Sequence, residues 1–184
     1  MKHEHNILWI DLETTGLDPE RCSIIEVAAV MTTPNLLPIG IVEEVVRDKL
    51  ADDLWGEMND WCRVTHGESG LWDEVKASQV TVEDAECQIL GLIERWMPEG
   101  KKPLLGGQSV HFDRGFIHKH MPELDKALSH RHLDVSGFME GYKRWGFQDS
   151  RLAKRPEHVA HRALDDILWS IIRMQDICKA LYPR

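Results

Sequence analysis

An apolar run, Ile7-Leu8-Trp9-Ile10, delivers two acids, Asp11 and Glu13, with Leu12 between them. Such a run reads as a buried strand, and on a strand residues two apart share a face. Asp11 and Glu13 therefore stand side by side while Leu12 turns into a core. Gly16 and Asp18-Pro19 then mark a turn. Neighbouring carboxylates repel each other unless something positive lies between them. An all-oxygen ligand set suits Mg²⁺ or Mn²⁺. A strand that merely ends in solvated acids has the same local pattern, so the remainder of the chain has to decide.

The chain has 184 residues, 42% of them hydrophobic and 29% charged. That is an ordinary globular balance and predicts a single domain over 1–184 with a sizeable core. Cys22, Cys62, Cys87 and Cys178 are scattered without a Cys-x-x-Cys pair. This points to reduced thiols in the cytoplasm and away from a zinc or disulfide framework. Met1 to His5 leads into no long apolar core, so no signal peptide is expected. His3 and His5 read as part of a frayed terminus. No apolar run approaches the roughly 20 residues of a membrane span, which excludes a membrane partner. The formal net charge is −9, whereas a protein that tracks along nucleic acid usually carries a basic face. Any nucleic-acid substrate should then be a short piece, with metal ions supplying much of the positive charge.

The chain shows no repeat, linker or low-complexity tract. Residues 23–32 and 35–47 are β-rich runs joined to the first strand by turn-like segments, which predicts an antiparallel meander. Pro34 and Pro38 limit where the third strand begins. From Asp52 to Met97 the chain reads as helical, with a capping-box pattern at Thr81–Asp84 and Val82, Ala85, Ile89, Leu92, Ile93 and Trp96 at helical spacing. Leu104-Leu105 predicts a short strand, Phe112 to His120 a helix ended near Pro122, and His132 to Val135 another strand, with Ser136 capping the next helix. Residues 146–157 read as a loop. The last helix, about 160–181, has Ala163, Ile167, Ile171, Met174 and Cys178 along one apolar face. Strands followed by helices alternating with short strands predict an α/β, three-layer fold with a mixed central sheet, the meander on one side.

Further positions bear on chemistry. Asp113 opens a helix after a glycine-rich strand end, a place where an aspartate also serves as a cap or dipole partner. Asp165 and Asp166 lie in the first turns of the last helix, where they also compensate the dipole. Asp166 has small neighbours, Ala163 and Ser170, at helical spacing and so points to a place with room. His161 precedes both, and simple i, i+4 geometry would pair it with Asp165.

Taken together and in this order, Asp11-Leu12-Glu13, Asp113 in a Ser-x-x-x-Asp context, and His161-x-x-x-x-Asp166 resemble the DEDD 3′–5′ exonucleases of the histidine subtype. The stretches Trp61 to His66, Ser69-Gly70-Leu71, Val75 to Ser78, Gly107-Gln108-Ser109, His120 to Leu124 and Arg131 to Ser136 are most similar to the oligoribonucleases within that family. Thr14, His111-Phe112, His130 and residues 147–157 depart from the pattern; His130 stands where the family's tyrosine reaches into the partner subunit's site.

The resemblance implies a ribonuclease H-like fold and a homodimer. It implies hydrolysis of RNAs of a few nucleotides, two to five, to mononucleotides with two divalent ions, Mg²⁺ or Mn²⁺. It implies metal ligation by Asp11, Glu13, Asp113 and Asp166, and proton abstraction by His161, whose ordinary pKa near 6.5 suits neutral pH. It also implies that Leu17 wedges against the terminal base and that Trp61 and His66 line the 3′ nucleotide pocket. Ser109, Arg131 and Ser136 would then hold the far phosphate. Outside the resemblance, Trp61 reads equally as core packing, Arg131 as a surface ion pair and Ser136 as a helix cap. A DNA or tRNA-end exonuclease of the same fold is the alternative that Thr14-Thr15 favours. A non-catalytic nucleic-acid-binding module is the reading that five filled positions disfavour.

Overall fold

A computed structural model describes residues 1–145 and 162–181. Five strands form one sheet: β1 (Ile7–Thr14), β2 (Ile24–Thr32), β3 (Pro38–Val45), β4 (Leu104–Gly107) and β5 (His132–Asp134). Their order is β3-β2-β1-β4-β5, with β1, β2 and β3 antiparallel and β1, β4 and β5 parallel. This is the expected mixed sheet with its meander on one side.

Alternation along β1 decides what each face does. Leu8, Ile10 and Leu12 join Val27, Ala29 and Met31 of β2 under α4 (Val82–Trp96), α5 (Val110–His120) and α6 (Pro122–Ala127). Ile7 and Trp9 point the other way, with Ala28 and Val30, against α7 (Val135–Arg144) and α8 (Ala163–Leu181). Helices therefore cover both faces, giving three layers. Trp9 is fully buried and its indole N–H donates to Thr32 Oγ1 at 2.9 Å. Gly106 is required beside it: a Cβ there would lie 2.9 Å from the Trp9 ring. A third cluster, Ile25, Leu54, Met58, Cys62, Leu71 and Val75, seats α1 (Ala51–Glu57), α2 (Asp60–Glu68) and α3 (Leu71–Ala77) at the end of the meander.

The capping box appears as predicted: Asp84 N–H donates to Thr81 Oγ1, and Thr81 N–H to the Asp84 carboxylate. Three readings change. Asp134, not Ser136, caps α7; Ser136 lies inside the first turn and its N–H donates to Asp134 Oδ1 at 2.8 Å. Pro122 does more than end a helix. It opens α6, whose first N–H groups, at Glu123 and Leu124, donate to the buried Glu86 carboxylate of α4 at 2.8 Å each. On α8 the buried face runs Ala163, Ile167, Ser170, Ile171, Met174, Ile177, while Cys178 is exposed. The 3.6-residue period brings Ile177 round to the sheet and carries Cys178 past it. Truncating one member of this face, as in Ile167→Ala, costs about 2–5 kcal/mol. The loop at 146–157, the helix start at 160 and His161 lie outside the described residues. Among the described residues, no helix is long and apolar enough to cross a membrane.

Candidate active site

The face of β1 that carries Ile7 and Trp9 continues through Asp11 and Glu13, so both carboxylates emerge on the α8 side. In α8, Asp166 lies one turn after Ala163, close to the point where the helix meets β2. One carboxylate oxygen from each of Asp11, Glu13 and Asp166 lies within 4.8 Å of the others. Asp113 arrives from α5. The β1–β4 ladder ends at Trp9–Gly106, which leaves the Leu12 N–H without a strand partner on that side. Asp113 Oδ1 accepts it at 3.2 Å. The four predicted acids thus converge from three elements. His161 lies outside the described residues.

Packing acids this tightly away from water raises their affinity for protons. Asp11 is held well above the carboxylate range, by burial first, then by the charges of Asp113, Asp166, Glu13 and Glu26. Glu13 is pushed up to about 8 by burial, Glu26, Asp166 and Asp113, with Arg162 pulling the other way. Burial brings Asp113 to about 7, against the pull of its own backbone N–H and that of Leu12. Buried, closely spaced, oxygen-only and electrostatically strained, this donor set fits hard divalent cations better than it fits solvent.

Beside the acids is a cleft of about 460 Å³ lined by Leu12, Glu13, Thr14, Gly16, Leu17, Asn59, Trp61, Cys62 and Phe112. Leu17 is 78% exposed and Trp61 61% exposed, so Trp61 is no core residue. The turn carrying Leu17 is fixed from behind by Glu57, which accepts from Thr15 Oγ1 at 3.0 Å and Ser23 Oγ at 2.9 Å and pairs with Lys49. His66 is buried; its Nε2 donates to the Thr14 carbonyl at 3.0 Å, and Nδ1 is 3.9 Å from Glu13. It therefore supports the cleft wall between Thr14 and Glu13.

Ser109 and Ser136 meet at the other end of the sheet's active edge, with hydroxyl oxygens 3.1 Å apart. Ser109 adopts a left-handed φ of 57°. Asp134 organises the pair: its carboxylate accepts the N–H groups of Ser109, Val110 and Ser136 at 3.1, 3.2 and 2.8 Å. Arg131 is exposed just ahead of β5, at the opposite end of that three-residue strand from Ser136.

Two residues went unread in the sequence. Glu26 is fully buried in β2, directly opposite Glu13. Arg162 donates to it from Nε at 2.8 Å and Nη2 at 2.7 Å. A lone charge inside a strand whose nine residues are all buried was the available signal.

Comparison with known proteins agrees with the geometry. The RNase_T exonuclease family matches residues 8–172. An oligoribonuclease from Haemophilus influenzae is 43% identical over 170 residues, 91% of this chain and 90% of that protein. One from Vibrio cholerae is 40% identical over 181 residues, 97% of each. Among solved structures, a zinc-bound complex of E. coli exonuclease I with single-stranded DNA superposes with a TM-score of 0.73 at 19% identity. That match covers 98% of this chain and 42% of the exonuclease, and shows a shared fold.

Proposed function

Because this chain belongs to the RNase_T exonuclease family, alongside the oligoribonucleases, we propose that it removes nucleoside 5′-monophosphates from the 3′ ends of very short RNAs, about two to five nucleotides long. The observation that carries this reading is the meeting of Asp11, Glu13 and Asp166 within 4.8 Å, beside a cleft faced by Leu17 and Trp61. Glu13 belongs both to the acid cluster and to the cleft wall, so a phosphate at the acids and a terminal base in the cleft would be neighbours, as 3′-end removal requires.

Asp11, Glu13, Asp113 and Asp166 would hold two divalent ions, Mg²⁺ or Mn²⁺, which when bound supply an activated water and shield charge on the reacting phosphate. The remaining work falls to the chain. Leu17 and Trp61 grip the terminal base, using a stacking surface that every base offers. His66 fixes the wall behind them. His161 takes the proton from the attacking water. Ser109 and Ser136, with Arg131 reaching in, hold the phosphate at the far end. A clamp of two hydroxyls and one guanidinium suits a chain with a net charge of −9, because it needs no basic track. The expected setting is the cytoplasm and the expected assembly a homodimer of single exonuclease domains, with His130 near the interface.

The test is cleavage of end-labelled two-, five- and twenty-nucleotide RNA and DNA in Mg²⁺ or Mn²⁺. Rates that fall steeply with length on RNA support the reading. Equal rates on long DNA would transfer the assignment to a DNA exonuclease, and binding without turnover to a non-catalytic module.

A further inference from the structure

Glu26 poses a physical problem. Its carboxylate is fully buried opposite Glu13 and adds to the repulsion within the acid cluster. Burying an extra negative charge there is costly unless it is fully paired. Both of its oxygens are in fact occupied. Oε1 accepts from Arg162, and Oε2 accepts the N–H of Ala163, the first residue of α8, at 3.0 Å. Glu26 thus stands in for the N-cap of α8 from a neighbouring strand. In the same turn the Asp166 N–H donates to the Arg162 carbonyl at 3.1 Å. Asp166 is therefore set one helical turn from a point pinned to β2. The other side of the Arg162 guanidinium forms a two-bond fork with Glu74 of α3, 2.8 Å for each bond.

We propose that Arg162 is a positioning residue: gripped by Glu26 and Glu74, it registers α8 against the sheet and against α2–α3, so that Asp166 reaches Asp11 and Glu13 while Trp61 and His66 of α2 keep their distance from the same cluster. Arg162 touches neither substrate nor reacting atoms; it acts through Asp166. A lysine keeps the charge but cannot make both forks, so Arg162→Lys separates position from charge. This inference rests on the exonuclease reading, and wild-type cleavage of a dinucleotide in Mn²⁺ tests that reading separately.

The decisive measurement is Mn²⁺ titrated into metal-free protein and followed by the electron paramagnetic resonance of the free ion. Arg162→Lys should bind Mn²⁺ about 10-fold or more weakly, as loss of groups that orient ligands does. On a dinucleotide its kcat should fall by about 10–100-fold with KM within about two-fold, the pattern of misplaced catalytic groups. Glu74 is 48% exposed, so Glu74→Gln spares the core and carries the test if Arg162→Lys does not fold. It should weaken Mn²⁺ in the same direction by less, and add under about two-fold in the Arg162→Lys background, since both act through one joint. Wild-type Mn²⁺ affinity in either single variant, or full additivity of the two, overturns the proposal.

Discussion

The carboxylate of Asp113 accepts the backbone N–H of Leu12, the residue between Asp11 and Glu13, at 3.2 Å. One acid of the cluster is thereby used to hold the strand that presents two others. Asp113→Asn keeps an acceptor and should retain the wild-type fold, whereas Asp113→Ala orphans a buried N–H and should lose about 1–3 kcal/mol more. Both should cut Mn²⁺-dependent dinucleotide cleavage by at least about 100-fold. Urea denaturation alongside initial rates checks both halves, and equal stability of the two variants would remove the structural role.

Proton and metal compete for the same site. Glu13 has a folded pKa of about 8 and Asp113 of about 7, both above their ordinary values near 4. Above those ordinary values the unfolded chain gives up protons that the folded chain still keeps. Stability of the metal-free protein from these groups therefore falls as pH rises from about 4.5 to about 8. Bound cations take the place of the protons. The rise in Tm on adding Mn²⁺ should be small at pH 6 and several-fold larger at pH 8, read by calorimetry. An increment independent of pH would detach the metal from these carboxylates.

Leu17 and Trp61 should matter to substrate and hardly at all to the fold. Both are exposed, so Leu17→Ala and Trp61→Ala should stay within about 0.5 kcal/mol of wild type. Loss of base stacking is worth about 1–3 kcal/mol, roughly a 5- to 150-fold rise in KM for a dinucleotide. Steady-state kinetics and a melting curve on the same samples decide it. A change in Tm with unaltered KM would place both residues outside the pocket.

Ser109 and Ser136 should set length preference. Removing their hydroxyls with Ser109→Ala or Ser136→Ala should raise KM for a dinucleotide about ten-fold, a hydrogen bond to a charged group being worth about 1.5–3 kcal/mol. Five-nucleotide RNA should change far less, because its far phosphate extends beyond the pair. Competition between the two lengths in one reaction reads this directly.

Much of the fold was legible because strand alternation and helical period are properties of short windows. Leu12 against Asp11 and Glu13, the meander, and the capping box at Thr81 and Asp84 all follow from neighbours in sequence. The convergence of Asp113 and Asp166 on that pair came from the family pattern, aided at Asp166 by its small neighbours Ala163 and Ser170, because i, i+4 spacing alone pairs His161 with Asp165. What stayed hidden depends on contacts distant in the chain. Asp134 takes the capping role predicted for Ser136 because its carboxylate also serves the N-terminus of α5, 25 residues away at Ser109. Glu86 organises α6 across 37 residues. Glu26 meets Ala163 across 137 residues, and its partner Arg162 reads as an ordinary helix-start cation.

The alternation of β1 leaves little room for error. Ile7, Trp9, Asp11 and Glu13 share one side, and Leu8, Ile10 and Leu12 the other. Deleting or inserting a single residue ahead of Asp11 would drive the cation-seeking side chains under α4 and α5 and turn greasy ones toward the nucleotide. In this stretch the chemistry and the folding code are written in the same letters, so damage to one damages the other.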